Sequence, residues 1–300
     1  MNTILVPLDG SPRAELSLTP ACDLARLTGA TIVLVHAIPF FNGRHAKQVA
    51  ERVSATEALD YLATVQCRLG REGLAVQTET LPGNPFQTIQ FAALKHDADL
   101  IAMTTHGRTG IQSALMGSVA VSVLQRSECP VLLVPARTPD ASVPSPIHRR
   151  ILVPLDGTPL SEAALAYVTG EGLARGAETV LLRVVGEEDL PGMLPVSGFV
   201  GPEIIELAEA QVTKQRTLVE EYLRCTAELY LVNARRQVHV GYGNPASEIT
   251  TFAANLKVSL IVMATAGRHG FDRLVHGSVA GQVLRHSPVP ILLVHDLRHR

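Results

Sequence analysis

The 300-residue chain reads as an α/β protein made of two tandem, doubly wound domains, each on a five-stranded parallel sheet. Three observations predict this. The chain repeats itself, its strand-like runs are apolar throughout, and those runs alternate with amphipathic helical stretches.

The repeat is explicit. Residues 4–12 read ILVPLDGSP and residues 151–159 read ILVPLDGTP, differing only at Ser11 and Thr158. Gly83-Asn84-Pro85 recurs as Gly243-Asn244-Pro245, Gly117-Ser118-Val119-Ala120 as Gly277-Ser278-Val279-Ala280, and Pro130-Val131 as Pro290-Ile291. The offset is 147 at the first landmark and 160 at the others, so the second copy carries a net 13-residue insertion. The Gly/Pro-rich stretch 186–202 is its natural place. A proline-bearing, aperiodic segment separates the copies, which gives domains 1–137 and 150–300 with a linker at 138–149.

Each copy then yields the same elements in order. In the first, the apolar run Ile4–Leu8 precedes a turn and a helix near 12–28. A second strand covers 31–38, a long helix about 45–70, and a third strand 74–80. Asn84 can cap the next helix, with Pro85 in its first position. Strand four is 99–105, a Gly-rich loop leads to a helix near 118–127, and strand five is 131–135.

Composition narrows the function classes. Hydrophobic content of 46% against 18% charged residues describes a globular chain. A net charge of −2 with no basic tract, 4% aromatics and no Trp argue against nucleic acid and against an anionic membrane surface. The start MNTILVPLDG is no signal peptide, and no apolar run approaches a membrane span. Cys22, Cys67, Cys129 and Cys225 lack metal or redox spacing; reduced, mostly buried thiols in a cytoplasmic protein are expected.

Ligands of open α/β sheets bind at the carboxyl ends of strands, at the topological switch point. Asp9 follows strand one, and Asp156 matches it. The loop 106–118 follows strand four, matched by 266–278. Its Gly107, Gly110 and Gly117 can take positive φ and bring N–H groups close to a ligand. Ser118 then opens a helix whose free N–H groups and dipole favour a phosphate. A carboxylate at Asp9 repels phosphate, so it belongs at the nucleoside end, accepting from a ribose hydroxyl or an adenine amino group. Each feature alone has an ordinary reading, a flexible turn or a helix cap; the repetition of both is what carries weight.

These residues resemble the universal stress protein family across nearly the whole chain: ILVPLDGS, GNP, HGRTG…GS and CPVLLV. The resemblance implies an adenine nucleotide alpha hydrolase-like fold and ATP, accompanied by Mg²⁺, as the ligand. The ATP-binding branch carries G-x2-G-x9-G-[ST] at the loop. Gly107 with Gly117-Ser118 and Gly267 with Gly277-Ser278 fit its later part, whereas Thr104 and Ala264 replace its first glycine.

Carried over by position, the resemblance implies that Pro7 and Asp9 line the nucleoside site, with Ala37 and Met103 flanking adenine. Gly107, Gly117, Ser118 and Val119 would hold ribose and phosphates, with Gly110 inside the loop. The second copy supplies Pro154, Asp156, Val184, Met263, Gly267, Gly270, Gly277, Ser278 and Val279. Arg108 and Arg268 would reach phosphate or stay solvated. The last strands, 131–134 and 291–294, would pair antiparallel and make the chain its own pseudo-dimer; a homodimer of whole chains is the further association it implies.

Other motifs are set aside. His295 and His299 are expected in a solvated tail, and His106 has Ala266 as its counterpart, so no shared chemistry needs it. Cys129, before a proline at a strand start, reads as packing. GxxxxGK[ST] and GxSxG are absent. Three readings follow: a stress-response regulatory module binding ATP or a related adenine nucleotide; a scaffold with degenerate sites, favoured by Thr104 and Ala264; and a nucleotide-using enzyme, at most a slow ATPase, which no catalytic constellation supports.

Overall fold

A computed structural model describes residues 1–38, 46–105, 116–135, 146–186, 202–265 and 279–295. The first copy runs β1 (Thr3–Pro7), α1 (Pro12–Glu15), α2 (Leu18–Thr28), β2 (Thr31–Ile38), α3 (Ala46–Arg71), β3 (Val76–Pro82), α4 (Pro85–Lys95), β4 (Leu100–Thr104), α5 (Ser118–Arg126) and β5 (Val131–Val134). The second runs β6 (Arg150–Pro154), α6 (Pro159–Gly170), β7 (Glu178–Val185), α7 (Pro202–Tyr230), β8 (Arg235–Tyr242), α8 (Pro245–Asn255), β9 (Leu260–Thr265), α9 (Val279–His286) and β10 (Ile291–His295).

The local chemistry behind these elements is plain. Ser11 and Thr158 cap α1 and α6 by accepting from Ala14 N and Ser161 N, with proline at the first helical position. Asn84 and Asn244 do the same for α4 and α8. The single helix expected over 12–28 is instead two. Ser17, fully buried, turns its hydroxyl onto the Ala14 carbonyl (2.7 Å), and the helix restarts at Leu18. The matching α6 is continuous.

All ten strands form one sheet in the order β3-β2-β1-β4-β5-β10-β9-β6-β7-β8. Every neighbouring pair is parallel except β5 and β10, which pair antiparallel through Ile291↔Leu133, Leu292↔Leu132 and Leu293↔Val131. The expected pairing of the two last strands is therefore present within the chain. It joins two edges that would otherwise expose apolar backbone.

Side chains alternate across this sheet, so each face builds its own core, and each core spans both copies. One gathers Ile4, Val6, Leu34 and Leu62 with Val153, Leu165, Leu223 and Leu292. The other gathers Leu5, Ile89, Met103 and Leu133 with Leu152, Ile249, Met263 and Leu293. The end of the linker is tied to the first copy: Asp23 Oδ2 accepts from the amide of Ile147, which is fully buried (3.0 Å).

Two expectations are corrected here. Only Cys22 and Cys129 are buried; Cys67 and Cys225 are exposed, because they lie on the outer sides of α3 and α7. His295 is not in a solvated tail: it is the last residue of β10, pairs with Thr265 and is buried. Cys129 packs as expected, beside the Ser127 hydroxyl. Among the described residues no helix is long and apolar enough to cross a membrane.

Candidate functional site

The strand order sets where a crevice must open. From β1 the chain moves outward through β2 and β3, then returns to place β4 on the other side of β1. The switch point therefore lies between the carboxyl ends of β1 and β4, and in the second copy between β6 and β9.

Pro7 and Pro154 end β1 and β6, half-buried, opposite Val35 and Leu182. Beyond them the chain makes the turn Asp-Gly-Ser/Thr-Pro. Gly10 and Gly157 both sit at φ 80°, a region that L side chains avoid, so glycine is required there. Asp9 Oδ1 accepts from Ser11 N (3.0 Å) and Ser11 Oγ (2.6 Å). Asp156 Oδ1 accepts from Thr158 N (2.9 Å) and Thr158 Oγ1 (2.5 Å). Each carboxylate thus fixes the turn that carries it, but the cap itself is Ser11 or Thr158, so Asp9 orients the capping residue and is not the helix cap it could have been. Partial desolvation pushes the Asp156 carboxyl up, but the hydrogen bonds from Thr158 and Ser161 and the charge of Arg183 together hold it below the usual carboxylate range.

Across the switch point, β4 ends at Thr104 and β9 carries Ala264, the two residues in the place of the leading glycine. They pair regularly with Val134 and Val294, and neither takes positive φ. The backbone therefore does not demand glycine; what a Cβ changes here is the space left above the strand end. Gly117, as the N-cap of α5, has φ −59°, contrary to the expected positive φ, and its N–H donates to the Thr105 carbonyl (2.8 Å). Any anion at α5 must then rely on the amides of Ser118, Val119 and Ala120, the first-turn donors that a helix leaves without internal acceptors. Val279 opens the described part of α9 in the second copy.

Ala37 and Val184 lie one residue before the ends of β2 and β7. Met103 and Met263 are buried in the core beneath the crevice. The structure thus brings Pro7, Asp9, Ala37, Met103, Gly117, Ser118 and Val119 to one end of the sheet, and likewise Pro154, Asp156, Val184, Met263 and Val279. Gly107, Gly110, Gly267, Gly270, Gly277 and Ser278 lie outside the described residues, as do His106, Arg108, Arg268 and His299.

Sequence reasoning missed a second ring of polar groups behind each turn. Glu15 on α1 accepts from Tyr61 Oη (3.1 Å) and from Arg68 (2.6 Å), both on α3. Glu162 on α6 accepts from Tyr222 Oη (3.0 Å) and Tyr230 Oη (3.4 Å) on α7. Burial, followed by the nearby Glu162 carboxylate, pushes the Tyr222 phenol up to about 12, and Tyr61 is raised by burial and then by the Glu15 carboxylate. The signal was available: both copies place Glu four residues after the capping Ser or Thr, and both long helices carry a Tyr facing it.

Taken together, the chain is a tandem, doubly wound α/β protein with a carboxylate-bearing turn at the switch point of each copy. The sequence model of the universal stress protein family matches residues 1–135 and again residues 148–295, and the chain belongs to that family. A universal stress protein of Mycobacterium tuberculosis is 29% identical over 226 residues, covering 74% of this chain and 70% of that protein. One from Mycolicibacterium smegmatis is 27% identical over 312 residues, covering 97% and 96%. Among solved structures, a universal stress protein from Archaeoglobus fulgidus superposes with a TM-score of 0.71 at 20% identity, covering 98% of each chain, which supports the fold.

Proposed function

We propose that the chain is a nucleotide-binding regulatory module whose two crevices take ATP, or a related adenine nucleotide, with Mg²⁺. The observation that carries this reading is the opposition, across the first copy's switch point, of a carboxylate on a rigid turn and a helix start whose first-turn amides the helix itself leaves without acceptors, with the same carboxylate-bearing turn repeated in the second copy. In such a site Asp9 or Asp156 accepts from the ribose hydroxyls, and Ala37 with Met103, or Val184 with Met263, lines the apolar end for the base. Phosphate lies against the first turn of α5 or α9, where amides and dipole stabilise negative charge. Mg²⁺ would offset phosphate charge when bound. The chain's own residues bind and orient; the described residues place no nucleophile–base pair at either strand end, and the reading is of a sensor with at most slow ATP hydrolysis. Position in a stress-response pathway in the cytoplasm and self-association of chains belong to the same proposal.

One observation favours the scaffold reading for comparison: Thr104 and Ala264 crowd the strand ends where the family's ATP-binding branch has glycine. Calorimetric titration of the full chain with ATP and Mg²⁺ decides between them. Binding at micromolar to sub-millimolar concentration, with one site lost in Gly117→Val and the other in Gly277→Val, is expected. No heat of binding at millimolar ATP, or unchanged stoichiometry in both variants, would overturn the nucleotide reading. Binding must also raise the melting temperature, by an amount set by ligand concentration over Kd.

A further inference from the structure

The two long helices hold equivalent places in the two copies but show solvent different faces. Tyr61 of α3 and Tyr222 of α7 both reach the glutamate behind their turn, which aligns the helices residue by residue. On its outer side α3 carries Glu57, Thr64, Arg68 and Arg71, all exposed. In the same places α7 and the turn after it carry Leu218, Cys225, Leu229 and Val232. These are exposed as well: Leu218 by 53%, Leu229 by 70% and Val232 by 67%, with Cys225 between them. The fold does not require an apolar outer face here, since α3 covers its own strands with a polar one.

The four residues form one stripe. Residues 218, 225 and 232 are spaced by seven, and 229 stands four beyond 225, the spacing that keeps side chains on one side of a helix. Val219, Leu223 and Ala227, buried in the core, occupy the opposite side. The stripe is about 20 Å long at about 1.5 Å per residue. It lies at the end of α7 that leads into β8, whereas residues 187–201 join α7 at Pro202, about 40 Å along the helix from Leu229. One flank of the stripe is charged. Glu221, Arg224 and Glu228 are all exposed there, and none of them joins an ion pair among the described residues.

That order of charges, negative then positive then negative, is complementary to itself when reversed. Two helices running antiparallel bring their like flanks together, so with Cys225 near a twofold axis Arg224 of each chain falls between Glu221 and Glu228 of the other. A parallel pair would set this flank against Gln215 and Tyr222 and leave the charges without partners. We propose that α7 is the face through which two copies of this chain associate, antiparallel across Leu218, Cys225, Leu229 and Val232. Such a contact uses the same patch on both chains and closes at two. The last strands are not available for this purpose, because β5 and β10 already pair within one chain. The proposal gives the self-association suggested above a surface, and it does not depend on nucleotide. A stripe of this length makes a small interface, below about 1,200 Å², so the dimer forms reversibly, half-complete at about 10–100 µM.

Sedimentation equilibrium of the full chain, from about 1 to about 300 µM, tests this across the expected midpoint. The unaltered chain should pass from monomer to dimer in that range. Leu218→Glu and Leu229→Arg, each installing the residue that the first copy has in that place, should each weaken association about tenfold or more, as removal of a central apolar contact does. Both positions are exposed, so the urea midpoint should not move, which separates a lost interface from a lost fold. Arg224→Glu should weaken association about threefold, and adding Glu221→Arg and Glu228→Arg, which reverses every charge on the flank, should restore it. A chain that stays monomeric throughout, or a dimer indifferent to Leu218→Glu and Leu229→Arg, would overturn the proposal. A dimer that those two variants abolish but the full charge reversal leaves weakened would overturn the antiparallel arrangement. ATP titration of the Leu229→Arg chain should match that of the unaltered chain, so the outcome here leaves the nucleotide reading to its own test.

Discussion

Shortening Leu132 or Leu292 to alanine tests whether the two copies form one cooperative body. The two residues face each other across the antiparallel β5–β10 joint, both are fully buried, and both belong to the core that runs through both copies. Each Leu→Ala removes a fully buried isobutyl group and leaves a void in close-packed surroundings, which costs about 3 kcal/mol. Because the two side chains line the same space, the double variant should cost about 1 kcal/mol less than the sum of the singles. The chain has no tryptophan, so Phe91→Trp in the first copy and Phe252→Trp in the second give each half its own fluorescence reporter. In urea, both reporters should shift to the same lower midpoint whichever leucine is cut. A shift confined to the half that carries the substitution, with strict additivity in the double variant, would refute the single-body account.

Three smaller perturbations follow from groups with a clear imbalance. Thr179 on β7 is fully buried and its hydroxyl has no partner among the described residues, where the first copy has Ile32; Thr179→Val should stabilise by about 1 kcal/mol, and a lower urea midpoint would show that the hydroxyl is bonded after all. Lys257 sits at φ 49° after α8, so Lys257→Gly should gain about 0.5–1 kcal/mol, more than Asp97→Gly at φ 46°, since Asp tolerates that region better; equal effects would contradict this. Glu79 on β3 meets Lys95, the last residue of α4, and His96, its C-cap, at 2.5 Å each. Burial pushes its carboxyl up, but those two hydrogen bonds and charges win and hold it below its ordinary 4.5. A depressed folded value means stability present above 4.5 and lost as pH falls through the folded value. Glu79→Gln should therefore cost about 1 kcal/mol at pH 7 and nothing in strong acid, and a pH-independent loss would reject the ionic origin.

Much of the fold was legible because its signals are local. Apolar runs, a proline after Ser11, and Asn84-Pro85 before a helix each specify backbone within a few residues, and the repeat let the second copy check the first. The antiparallel joint was expected from the family resemblance alone; no local pattern in VLLV distinguishes a joint from an ordinary core strand. The break at Leu16–Ser17 was missed because a serine in an amphipathic stretch reads as a solvated residue, whereas this one bonds back to Ala14 in the core. At the site, Asp9 and Ser118 were legible from their places after strands. The Glu15–Tyr61–Arg68 cluster was not, because Glu15 stands 46 and 53 residues from Tyr61 and Arg68 and meets them only once α3 lies on the sheet. The glycine argument for Gly117 misled for a physical reason: a helix N-cap with φ −59° suits many residues, so the letter alone did not reveal the conformation.

Photoaffinity labelling tests the central claim most directly. The full chain is irradiated with 8-azido-ATP and Mg²⁺, digested, and the labelled peptides are identified by mass. The account predicts labels at both crevices, on the peptides holding Pro7–Asp9, Ala37 and Met103 and on those holding Pro154–Asp156, Val184 and Met263, each suppressed by excess ATP. Labels on the outer surfaces of α3 and α7, or labels that ATP does not compete away, would contradict it.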